Sequence, residues 1–120
     1  MKKADAICTA YRDRTANVKR PQTYKQVVAY VKATLPLYES ALQKLRALQP
    51  PSRDASAVRA WLAADRGVAR AIRELGDAAE RRDYPSINAS FGRAELASSR
   101  GRRAAIGLGM HVCGQLVSAR

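Results

Sequence analysis

Histidine, cysteine, aromatic residues, glycine and proline are all scarce in this chain of 120 residues, and each scarcity removes a class of reading. A lone histidine, His111, has no Glu-x-x-His partner at helical spacing, so no metal site is expected, and no other cofactor either. Two cysteines and one histidine leave little for nucleophile chemistry, and no nucleotide-binding glycine motif is present. No apolar run approaches the ~20 residues of a transmembrane helix, or even the h-region of a signal peptide. Only 6% of residues are aromatic, yet 47% are hydrophobic, enough for a packed core. Wholesale disorder is thereby excluded, and the length points to one domain over residues 1–120.

With 7 glycines and 5 prolines clustered between long Ala-, Leu- and Arg-rich stretches, apolar residues recur every three or four positions, which predicts an all-α fold. A first helix is expected from Lys3 to Val18, ending before Arg20-Pro21 because a residue preceding proline is pushed out of helical space. A second opens on Thr23-Tyr24-Lys25-Gln26, a capping-box pattern, and carries the seam Val28, Val31, Leu35, Tyr38, Leu42, Leu45. Pro36 interrupts that seam, so a kink or short break is expected near Lys32 to Leu35. Beyond Pro50-Pro51, a third helix starting at Ser52 or Asp54 has the seam Val58, Trp61, Asp65, Val68, Ile72, Leu75, Ala79. A fourth begins around Asp83-Tyr84-Pro85, with Asp83 placed to cap and Pro85 suited to a first turn. Its expected inward face is Ile87, Phe91, Ala94, Ser98, Gly101, Ala105 and Leu108, small enough toward the middle for close approach of a neighbour. Short connections between four successive helices favour an up-down-up-down four-helix bundle with a Pro-kinked second helix.

In such a bundle the start of the first helix and the end of the last lie at the same end, so Cys8 and Cys113 are topologically able to meet. Closing a loop of that length contributes ~4.7 kcal/mol in the chain-entropy model, a large share of the ~5–15 kcal/mol of a typical domain. A disulfide implies an oxidising, extracytoplasmic setting; two separate buried thiols in a cytosolic protein are the alternative.

The stretches Ala4-Asp5-Ala6-Ile7-Cys8 and Leu108-Gly109-Met110-His111-Val112-Cys113-Gly114 bracket two further elements, Leu35-Pro36-Leu37-Tyr38 and Leu48-Gln49-Pro50-Pro51. Together they resemble the secreted or lipoprotein-type helical-bundle domains of GC-rich bacteria, over nearly the whole chain. The resemblance implies an exported four-helix domain with paired cysteines and a generally unassigned biochemical role. It also implies a mature fragment, whose signal peptide or lipobox would stand ahead of Lys2.

Asp65 is the one carboxylate on a seam. Buried charge costs several kcal/mol unless paired or wet, so Asp65 is expected to form an ion pair with an Arg, to sit at an edge position, or to line a cavity and anchor a ligand. The tyrosines and Trp61 read as core or core edge.

Net charge is +12, with 12 basic and 4 acidic side chains in the first 60 residues and 10 and 6 in the last 60. That is a diffuse basic field, and Arg100, Arg102 and Arg103 form its most compact run. Weak, salt-sensitive contact with polyanions is expected there. No helix-turn-helix or basic-zipper pattern supports sequence-specific readout of DNA, and no paired acid and base selects an enzyme. The expected function is therefore an exported, non-catalytic binding or structural module whose partner is an unknown protein or envelope component. The alternative is a cytosolic basic protein binding nucleic acid nonspecifically.

Overall fold

A computed structural model describes residues 2–114. Four α-helices, α1 (Lys2–Thr15), α2 (Tyr24–Arg46), α3 (Ala55–Glu80) and α4 (Tyr84–Gly107), form an all-helical bundle, and there is no strand among the described residues. A single 3-10 turn, Ser52–Asp54, leads into α3.

Each helix boundary has a local cause. α1 stops at Thr15, earlier than Val18, where the Thr15 hydroxyl donates back to the Tyr11 carbonyl at 3.0 Å. At the start of α2, Thr23 Oγ1 accepts from the Gln26 N–H at 3.4 Å, and Gln26 Oε1 accepts from the Gln22 N–H at 2.7 Å. The box thus closes one residue further out than the usual arrangement. α2 runs through Pro36 as one continuous helix, so of the two expected outcomes at that proline the short break does not occur. α3 ends with Arg82 in the left-handed region, φ 54°, while the Asp83 N–H reaches the Ala78 carbonyl and the Arg82 N–H the Ala79 carbonyl. Gly109, φ 79°, does the same for α4, with the Met110 N–H on Ala105 and its own N–H on Ile106. Both are Schellman terminations, and only the second uses the residue suited to them.

Successive helices are antiparallel neighbours: α1 lies on α2, α2 on α3, and α3 along most of α4. Close approach of α3 and α4 is marked by a small residue, since a Cβ on Gly101 would meet Asp65 Oδ1 at 2.6 Å. The buried line of α2 is Val27, Val31, Thr34, Tyr38, Leu42 and Leu45, so Val27 and Thr34 replace the expected Val28 and Leu35, which are half-buried. In α4, Ser90 is fully buried where Phe91 was expected, and Phe91 is exposed. A benzyl group at that position would hold α3 and α4 apart; the serine lets them close, and its hydroxyl accepts from Arg93 at 3.0 Å. One core cluster lies at each end of the bundle: Val27, Val31, Leu75, Ala78, Ala79 and Ile87 at one, and Trp61 with Ala4, Leu45, Val58, Ala105, Met110 and both cysteines at the other.

Candidate functional site

Three polar features stand out against this frame. The first is the joint between the ends of the chain. Cys8, in α1, and Cys113, in the turn beyond α4, form a disulfide with their Cα atoms 5.3 Å apart. Beside it the Asp5 carboxylate accepts three backbone N–H groups, from His111 at 3.1 Å, Val112 at 2.9 Å and Cys113 at 3.2 Å. A carboxylate in the first turn of α1 thus satisfies donors more than a hundred residues away. No local pattern in the sequence signals this clamp, because its acceptor and donors belong to different ends of the chain.

The second feature surrounds Asp65. Its carboxyl group lies against Gly101 of α4, so close that a Cβ there would stand 2.6 Å from Oδ1. The expected pairing with an arginine is not present: none of the ion pairs among the described residues includes Asp65, and the residue is half-buried, with no fully enclosed oxygen left unsatisfied. The reason is geometric, since the residue facing it across α4 is a glycine and its neighbours from α1 and α2 are Tyr11 and Tyr38. Burial pushes the Asp65 pKa up to about 7. Tyr38 is raised well above its ordinary value by burial first, then by Asp65 and Tyr11, and its hydroxyl donates to the Asp65 backbone carbonyl at 3.4 Å. Tyr11 stacks edge-on to Tyr38 at 5.5 Å and is raised to about 12, by burial and then by Tyr30. These groups and the disulfide line a cavity of about 20 Å³, the size of one water molecule. So small a space has no room for an organic ligand.

The third feature is a groove of about 950 Å³ between α2 and α3, on the side that neither α1 nor α4 covers. Arg66, Arg70 and Arg73 rise along α3, one per helical turn, and Arg46 faces them from the end of α2. One carboxylate, Glu39, enters the groove and pairs with Arg73 at 2.5 Å. Arg46, Arg66 and Arg70 are exposed and have no ion-pair partner among the described residues. Ser40 and Gln43 add neutral donors from α2.

This groove gathers arginines that lie apart in the chain, within the diffuse basic field expected from the sequence. Arg100 and Arg103 do share an exposed face of α4, but Arg102 is turned roughly 100° from Arg103 and is half-buried. The adjacent run is divided by the helix, whereas residues spaced by 4 and 3 are gathered by it. Among the described residues no three His, Cys, Asp or Glu side chains converge as a metal set. No described helix is long and apolar enough to cross a membrane.

Comparison with protein-family models, with curated proteins and with solved structures finds no match to this chain.

Proposed function

We propose that the protein is a non-catalytic binding module of an oxidising, extracytoplasmic compartment, secreted or held at the envelope, whose partner is an anionic envelope component. The observation that carries the compartment is the disulfide between Cys8 and Cys113, since such bonds persist where glutathione and thioredoxin do not reduce them. Its setting adds support. Both cysteines are buried in the Trp61 cluster, so the bond belongs to the core. The likeness to secreted and lipoprotein-type helical domains agrees with the same reading.

Binding without catalysis is supported by what the polar groups can do. Asp65 has a pKa suited to proton transfer, but its cavity admits only a water-sized molecule, leaving no place for a reacting substrate. The open groove, by contrast, presents fixed cations to anything anionic.

The test is to fractionate cells that make the protein and to count its free thiols with a mass-shifting maleimide. The proposal expects the protein in the envelope or the medium with no thiol labelled. Recovery from the cytosol with both thiols labelled, together with salt-resistant binding to duplex DNA, would instead establish the cytosolic nucleic-acid reading.

A further inference from the structure

The groove between α2 and α3 has an unequal charge count, and the inequality has a direction. Elsewhere four carboxylates are engaged: Glu74 with Arg93, Glu80 with Lys32, Asp83 with the start of α4, and Asp5 with the turn at residues 111–113. Inside the groove four guanidinium groups meet one carboxylate. After Arg73 is matched by Glu39, Arg46, Arg66 and Arg70 remain for an outside anion.

Spacing narrows the choice of anion. Along α3 the step from Arg66 to Arg70 is about 6 Å, and Arg46 faces them from the end of α2, so the three unmatched cations are spread along the groove rather than gathered at one point. A compact anion such as sulfate reaches one or two of them, whereas a linear chain of charges reaches all. Guanidinium groups pair bidentately with phosphate and carboxylate oxygens, and phosphate supplies the greater charge per unit length. The groove contains no aromatic side chain, so it offers no platform on which a nucleobase stacks.

The geometry points to a binding site for a linear oligophosphate without bases, held by Arg46, Arg66 and Arg70, with Ser40 and Gln43 on the remaining oxygens. This deepens the binding-module reading and rests on it for the claim that the protein binds an anion at all. Two sources share the chemistry: a free condensed phosphate, and a phosphodiester-linked polyol chain of an envelope polymer.

The test uses the full oxidised chain and two probes, inorganic tripolyphosphate and a glycerol-phosphate trimer, with a thymidine oligonucleotide of equal charge as competitor. Affinity is measured by calorimetry at low and at physiological salt, and the Arg Nε–Hε resonances are followed by NMR. The double variant Arg66→Ala/Arg70→Ala is expected to lose at least tenfold in affinity for the tighter-binding phosphate probe. Arg100→Ala/Arg103→Ala, on the other basic face, is expected to lose less than twofold, with helicity unchanged in both. The tighter of the two probes identifies the source. Equal losses in the two variants, or tighter binding of the oligonucleotide, would overturn the groove while leaving an anion-binding module standing. No measurable binding to any of the three at low salt would remove both.

Discussion

Asp65 holds a proton in the folded protein at a pH where the unfolded chain has released it. Its folded pKa, raised to about 7 by burial, lies above its ordinary value of 3.8. The contribution is therefore complete below about pH 4 and is lost as pH rises through about 7. Tyr11 and Tyr38, the other titratable groups at the cavity, are both raised and stay protonated throughout that window. Urea unfolding should thus find the protein less stable at pH 8 than at pH 5, by roughly 1–4 kcal/mol from this group. Asp65→Asn should flatten the difference and raise stability at pH 8; an unchanged profile in the variant would show that the carboxyl is charged and solvated in the fold. At the chain joint, Asp5→Ala removes the acceptor of three backbone N–H groups and is expected to destabilise by about 1–3 kcal/mol, with the fastest-exchanging new amides at His111 to Cys113. Asp65 was legible as an anomaly, because a carboxylate at a 3–4 seam position stands out. Its surroundings were not, because which residue faces it depends on how close α3 and α4 approach.

Helices were legible from spacing alone, and the reasons for the few shifts lie in packing between them. Ser90 takes the interface position and Phe91 turns outward, a shift of one residue in the inward face of α4. Hydrophobicity ranks phenylalanine above serine and so misplaces the inward face by one position. Helical period also decides which arginines act together. Adjacency in the chain favours Arg100, Arg102 and Arg103, while a period of 3.6 assembles Arg66, Arg70 and Arg73 on one face. At this scale Gly76 offers a direct check of the α2–α3 contact. A Cβ there would sit 2.8 Å from Val31 Cγ1, in the core cluster. Gly76→Ala adds helix propensity worth up to ~1 kcal/mol but should still lose about 1–3 kcal/mol through overpacking. Combining it with Val31→Ala should restore part of that loss, and strict additivity of the two changes would contradict the contact.

As a whole, the molecule is a row of antiparallel helices whose two ends are tied by a covalent bond and a carboxylate clamp. α1 lies on α2 while α4 lies on α3, and the turn after α4 carries Cys113 back to α1. The pairing of Cys8 with Cys113 was legible because an even number of antiparallel helices returns the chain to its starting end. With a net charge of +12, the same molecule should also attract polyanions weakly and irrespective of sequence, with affinity falling at ~0.15 M salt where the screening length is ~8 Å. The tie between the ends is the feature on which the proposed compartment rests and which closes the fold. Its direct test is urea unfolding of the oxidised protein beside the same protein reduced and alkylated at both cysteines. The residues lie 105 positions apart, and a loop of that size should lower stability by ~4–5 kcal/mol when opened, with helicity lost first in α1 and the turn at Met110 to Cys113. Coincident unfolding curves for the two forms would contradict the account, because a fold indifferent to that bond has no need of an oxidising compartment.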